Sequence, residues 1–290
     1  MRDRYITIIA ILLVFAAAAA PASAQQTVNA DAGAVDVAAS IDFVNQYVFR
    51  GVPQNSDGIA MWPAIGVGLT VHSSDRVLKR VRVGGGFLSS LHTGDTGSGG
   101  PTGKAWYESR VSGSVGMYFA GNVLLETTYT SFTSPNDMFT SVKEVSVKGA
   151  VEGRRMFGGL MLDPYALAAF ELGADPGEGQ LDGGRRAGKY LELGIEPKVA
   201  MGRVTLEIPV ALGMSIGDYY ELAMQDHAFG FTTIGGVVAV PLRQSTAFGS
   251  LSVRGSVQYG VLGTTTKAFN RGDRSVVVGS IGVVLSRVPN

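Results

Sequence analysis

Between positions 204 and 216 the hydrophobic residues Val204, Leu206, Ile208, Val210, Leu212, Met214 and Ile216 take every second place, against Thr205, Glu207, Pro209, Ala211, Gly213 and Ser215 between them. A period of two belongs to a strand, because successive side chains leave a pleated backbone on opposite faces. At about 3.3 Å per residue the stretch spans roughly 43 Å, which a tilt of about 45° reduces to roughly 30 Å, the thickness of a bilayer's hydrocarbon core. Strands of soluble proteins usually run half as far.

The pattern recurs. Alternation predicts strands over about 35–47, 61–71, 80–92, 104–119, 123–130, 138–151, 160–172, 191–199, 204–216, 229–239, 251–261 and 274–287. Longer loops rich in Gly, Asp and Asn follow the first, third, seventh, ninth and eleventh strands, and shorter turns follow most of the others. Outer-membrane barrels show an even strand number, short periplasmic turns and longer outer loops. The fold class this predicts is all-β: a transmembrane antiparallel up-and-down β-barrel of about twelve strands, with both chain ends in the periplasm. Tyr47, Phe49, Trp62, Trp106, Phe119, Tyr219, Tyr220 and Phe229 fall near strand ends and are expected to form the interfacial aromatic girdles.

Three features strain the pattern. Pro63, Pro164, Pro197 and Pro209 fall inside expected strands, where each removes a ladder donor, so bulges or strand ends must absorb them. Lys143 shares a face with Phe139, Val145 and Val147, which calls for snorkelling or a register shift. The chain ends Arg287-Val288-Pro289-Asn290, without the terminal aromatic usual in barrels that the assembly machinery inserts.

The first 24 residues have a different character. Arg2 and Arg4 precede an apolar run that ends in Pro21-Ala22-Ser23-Ala24, the pattern of a cleaved secretory signal. The expected division is therefore 1–24 signal peptide, 25–33 short periplasmic lead-in and 34–290 barrel, with export to the bacterial outer membrane. The chain has no cysteine, so its sheet and core must hold it without disulfides. Its formal net charge of zero excludes the basic excess that nucleic-acid binding requires. Glycine, at 40 of 290 residues, suits close backbone approach within strands.

Candidate chemistry is sparse. Gly213-Met214-Ser215-Ile216-Gly217 matches a hydrolase motif that needs a sharp strand-to-helix turn, and an alternating strand with no helix after it does not supply one. The run at 97–104 resembles a phosphate loop, but Ser98 stands at the first required Gly and Ala105 at the Ser/Thr position, so it reads as a loop tip. His72, His92 and His227 lie at three strand ends without ligand spacing and are expected to be solvated. No catalytic residue, metal or cofactor is assigned. By parity the inner face carries both charge signs, with Arg50, Arg82, Glu108, Arg110 and Arg254 as candidate lumen-lining residues. Two readings stay open: such groups line a water-filled channel, or they pair across a narrow lumen and plug it.

At the first loop the residues Tyr47-Val48-Phe49-Arg50-Gly51-Val52-Pro53-Gln54 resemble the Tyr-x-Phe-Arg-Gly-x-Ser-Gln signature of the TorF-like porin family, with Pro53 in place of its Ser. The stretches 212–220 and 270–275 are similar to stretches of uncharacterised barrels of this kind. The resemblance implies an outer-membrane barrel of a Gram-negative-type bacterium and supplies no catalytic residues. The expected function is a porin or channel for passive passage of small polar solutes, with outer-membrane lipids and the barrel-assembly machinery as partners. A closed barrel that binds through its outer loops is the alternative, and a barrel-embedded lipid hydrolase a third.

Overall fold

The computed structural model describes residues 32–55, 58–94, 104–153, 160–173, 186–245 and 249–287. The expected signal and most of the lead-in, the tip at 95–103, the turn at 154–159 and the loop segment 174–185 lie outside the described residues.

Twelve antiparallel strands form a closed barrel. In chain order they are Val35–Val44, Ala60–Ser73, Leu78–His92, Trp106–Phe119, Val123–Thr133, Val142–Val151 and Tyr165–Glu171. Next come an eighth strand split into Lys189–Ile195 and Lys198–Met201, and a ninth split into Val204–Glu207 and Val210–Gly217. Phe229–Ser245, Gly249–Leu262 and Ser275–Arg287 complete the set. The first strand pairs with the twelfth, from Val37↔Arg287 to Val44↔Ser280, so the sheet has no open edge. Turns at 74–77, 120–122 and 202–203 join strands at one end, and the hairpin after the first strand and the connections at 218–228 and 263–274 lie at the other.

The prolines sit where the ladder is already interrupted. Pro197 and Pro209 occupy the gaps that split the eighth and ninth strands, and their carbonyls accept from Ile208 N at 2.8 Å and Gly235 N at 2.7 Å. Pro164 precedes the seventh strand, which therefore starts at Tyr165, later than the alternation suggests. Pro63 lies where pairing with the third strand skips from Met61↔Leu91 to Ala64↔Leu88. Lys143 needs no register shift, because the sixth strand pairs continuously with both neighbours. It is exposed one residue into its strand at the loop end, where an ammonium group reaches the headgroup region.

The outer face carries exposed aliphatic and aromatic side chains, among them Ile41, Phe43, Ile65, Val67, Val111, Val115, Ile234, Ile281 and Val283. A belt of this kind around a closed sheet is stable only against lipid, since in water it would be one continuous apolar patch. The alternate positions turn inward. Many glycines lie on that inner face beneath large side chains: a Cβ at Gly68 would overlap the Arg82 guanidinium, one at Gly282 the Asp42 carboxylate and one at Gly213 the Phe231 ring.

The loops at the open end account for the largest departures from expectation. The first expected strand ends early, at Val44, and the stretch that follows it, expected to turn at 50–58, instead contains a hairpin of Tyr47–Phe49 against Val52–Asn55 that folds into the barrel. Residues 264–273, expected to be loop, contain the short helix Thr264–Phe269. Three threonines are poor helix formers. Packing holds them instead: Thr265 and Thr266 are buried and their hydroxyls donate to the carbonyls of Tyr220 and Gly230.

Candidate functional site: a buried layer across the lumen

The inward hairpin leaves the end of the first strand and reaches the wall formed by the sixth to eighth strands, half the ring away. Its reversal depends on a left-handed pair, Arg50 at φ 47° and Gly51 at φ 80°. Gly51 also approaches Phe231 so closely that a Cβ would meet the ring at 2.9 Å. Val44, Tyr47, Val48, Phe49 and Val52 are all buried. The hydrophobic cluster around them takes residues from every barrel strand except the third and ninth, including Trp62, Tyr107, Phe132, Tyr190, Leu262 and Val276. Those two strands close the ring through His92, whose imidazole lies 6.0 Å from the Tyr47 ring, and Ala211.

Arg50 anchors the layer. Its guanidinium donates to both Glu144 oxygens, at 2.6 and 2.9 Å, and to the Tyr219 hydroxyl at 2.8 Å. It also stacks over the Tyr190 ring at 4.2 Å. Both ion-pair partners are nearly dry, with side-chain exposures of 8% and 4%. Burial alone would lower the Arg50 pKa, but the Glu144 carboxylate and the phenols of Tyr219 and Tyr190 around it together more than offset this, and the net direction is well above the ordinary value. Burial likewise raises the phenols of Tyr47, Tyr219 and Tyr220, although Arg110 works against it at Tyr47 and Arg50 at the other two.

The loop at 218–226 supplies the other side. The Tyr220 hydroxyl donates to the Arg50 carbonyl at 2.8 Å, and Tyr219 and Tyr220 pack edge to face at 5.0 Å. Ser215 holds this loop in place. Its Oγ donates to Asp226 at 2.9 Å and accepts from the amides of Gly217 and Tyr219 at 3.2 and 3.1 Å. The Gly-x-Ser-x-Gly match is thus a loop clamp, and no helix follows it.

All five sequence-derived candidates carry ion pairs, at two levels of the barrel. Arg50 belongs to the buried layer. So do Glu108 and Arg110, which pair with each other and both bond the Tyr47 hydroxyl. Nearer the turn end, Arg82 donates to Asp36 at 2.9 and 2.5 Å, and Arg254 to Asp42 at 2.7 and 2.5 Å. Each of these pairs joins strands two apart across a glycine of the strand between, Gly68 or Gly282. Unlike Arg50, Arg82 and Arg254 keep roughly a fifth to a quarter of their side-chain surface exposed, at 21% and 24%. The Arg82 and Arg254 guanidinium groups are therefore partly hydrated where the layer below the loops is dry, although Lys198 and Asp163, toward the turns, pair at side-chain exposures of only 7% and 6%.

The sequence reading missed Glu144 and Tyr190 as partners of Arg50, and misplaced several aromatics. Tyr47, Phe49, Trp62, Tyr219 and Tyr220 are buried inside, whereas Phe229 is exposed. Proximity to a strand end does not tell a girdle ring from one that has turned inward; parity helps only for Trp62, on the inner face with Ala60. His92, expected to be solvated, is buried with Nε2 at 2.6 Å from Ser90 Oγ and Nδ1 at 2.9 Å from Asn55 Nδ2. This has the order of a nucleophile, base and orienting group. However, Ser90 is 0% exposed and its Oγ accepts from Trp62 Nε1 at 2.8 Å, which gives a substrate no approach. Among the described residues no group of three or more His, Asp or Glu is placed to hold a metal ion.

A closed sheet with a lipid-facing belt defines the class: a transmembrane β-barrel. No protein-family model matches the chain, and no curated protein matches it in sequence. Several solved barrels are similar in fold. The outer membrane channel from Pseudomonas putida F1 is 13% identical with a TM-score of 0.48, over 89% of this chain and 97% of that one. The NanC porin is 12% identical with a TM-score of 0.45, over 87% and 98%. The beta domain of the Bordetella autotransporter BrkA is 14% identical with a TM-score of 0.44, over 88% and 99%.

Proposed function

We propose that this protein is an outer-membrane channel for small polar solutes, held closed in this conformation by the hairpin at 47–55. The observation that carries the reading is the contrast along the inner face. Partly hydrated guanidinium groups at Arg82 and Arg254 lie outside the layer, and a dry layer that touches every wall closes the barrel below the loops. The stretch that resembles the TorF-like porin signature is this hairpin, which gives that resemblance a physical content. In this reading the chain is exported with a cleaved signal at 1–24, inserted by the barrel-assembly machinery and surrounded by outer-membrane lipids. Arg82 and Arg254 line the conducting path, and Arg50, Glu108 and Arg110 control access to it.

The density of the same layer favours a second reading, a permanently closed barrel that works through its outer loops. Conductance of the mature protein in planar lipid bilayers separates the two. Reproducible opening steps from the unaltered protein support the channel. Silence from the unaltered protein, together with steady current after residues 46–55 are replaced by a short Gly-Ser linker, supports the permanent plug. Silence from both, in protein shown to be inserted, refutes the closure assigned to the hairpin.

A further inference from the structure

A cavity of about 580 Å³ opens at the loop end between the hairpin and the last long connection. Gln46, Gln54 and Asn55 line one side, Phe269, Asn270, Arg271 and Asp273 the other, and the beginning of the twelfth strand forms the floor. From this lining we propose a binding site for a neutral polyhydroxylated ligand, a saccharide of two or three rings. The site rests on the preceding reading only in that the loops must face the cell exterior.

The chemistry of the walls sets the ligand class. Side-chain amides offer a donor and an acceptor on one planar group, the combination that matches adjacent hydroxyls of a sugar ring. Several of these amides are already oriented by the fold. Gln46 Nε2 donates to the Val277 carbonyl at 2.6 Å, and Gln54 Oε1 accepts from the Tyr107 hydroxyl at 2.7 Å. Asn270 Nδ2 donates to the carbonyls of Asp273 and Ser275 at 3.2 and 3.1 Å. Gln46 and Asn270 each leave the amide oxygen for a ligand, while Gln54, whose Nε2 also donates to the Val52 carbonyl at 3.3 Å, is held at both ends and fixes the wall. The Asp273 carboxylate has no partner among the described residues and is exposed, so it is available to accept from a pair of hydroxyls.

The alternatives fit less well. The charged lining residues are one cation and one anion, Arg271 and Asp273, two residues apart on one loop, so the described lining has no net formal charge to select an anion or a cation. An apolar ligand would leave the amides and the carboxylate unpaired. The exposed Phe269 ring supplies the flat apolar face on which the C–H side of a sugar can lie. The volume falls within the range of small-molecule sites.

The test is isothermal titration calorimetry of the full mature protein in an amine-oxide detergent, because alkyl glycoside detergents would compete. The probes are maltose, lactose, sucrose and raffinose, with sodium gluconate as the charged comparison. The expected result is binding of at least one of the four sugars, weakened about tenfold or more in Asp273→Ala and in Phe269→Ala and unchanged in Met224→Ala, a control on a different loop. Absence of heat from all four, or the same affinity in both cavity variants, overturns the proposal. Binding of gluconate alone, lost in Arg271→Ala, overturns the ligand class. Retained heat-modifiable migration on gels shows that each variant is folded. Conductance is read separately, so a silent bilayer with intact sugar binding would sink the channel and leave the cavity standing.

Discussion

Arg50→Ala is the perturbation with the largest expected consequence. It removes three hydrogen bonds and a cation–π contact from one buried site and leaves the Glu144 carboxylate without its partner. Breaking a buried pair on one side costs about 3–5 kcal/mol, most of it the penalty for the charge left behind. Because about 1.4 kcal/mol is a factor of ten, the ratio of docked to released hairpin should fall by roughly 10² to 4 × 10³. The absence of native cysteine makes this directly measurable. A single Val48→Cys, at a buried hairpin position, should react with a thiol reagent only when the hairpin leaves the layer, so its labelling rate reports the released fraction. The expected rate is at least 100-fold higher in the Arg50→Ala background. The double variant Arg50→Ala/Glu144→Ala should recover part of that increase, because the stranded charge is gone, while Arg50→Lys should fall between, because an ammonium cannot reproduce the two-pronged contact. An unchanged labelling rate in Arg50→Ala, or a double variant more labile than the single, would refute the assignment of Arg50 as the anchor.

Three further outcomes are expected. Ser215→Ala should weaken the seating of the loop at 218–226 by about 1–2 kcal/mol and speed hydrogen exchange at Tyr219 and Tyr220. It should leave the strand content seen by circular dichroism unchanged. Burial raises the phenols of Tyr47, Tyr219 and Tyr220 above their ordinary 10.0, so the unfolded chain releases those protons first as pH rises. Their contribution to stability is therefore complete below about pH 10 and is lost above it. Urea unfolding in micelles across pH 8 to 12 should show a plateau and then a fall, and Tyr219→Phe/Tyr220→Phe should flatten the fall. Ile281, 60% exposed on the outer face of the twelfth strand, should tolerate Leu. Arg there, at the middle of the strand Ser275–Arg287, should cost about 2–4 kcal/mol when refolding into lipid vesicles is followed.

The barrel wall was legible in the sequence to within a few residues at most strand ends. Alternation at Val204, Leu206, Ile208 and their counterparts marks a face that needs an apolar solvent, and the spacing of loops and turns forces the strands up and down. These are local consequences of the chain, because a strand's faces are decided two residues at a time. Even the prolines were legible as interruptions, since a missing amide has the same effect in any barrel. Arg50, Arg82, Glu108, Arg110 and Arg254, expected as lumen-lining residues, all form ion pairs in the structure.

The contents of the lumen were decided only by the tertiary structure. Nothing local to Arg50 names Glu144, which lies 94 residues away, or Tyr219, which lies 169 away. A loop of polar and aromatic residues can sit at the headgroups or turn into the barrel, and its pattern of residues is the same in both. The choice is made by whether the far wall offers a buried carboxylate, rings to stack on and glycines that leave room beneath them. The helix at 264–269 is the same case: Thr265 and Thr266 adopt a conformation they disfavour alone because Tyr220 and Gly230 present carbonyls to their hydroxyls. Where the chain meets lipid, the solvent reads each residue by its polarity and the sequence suffices. Where the chain meets itself across the barrel, only the closed ring brings the partners together.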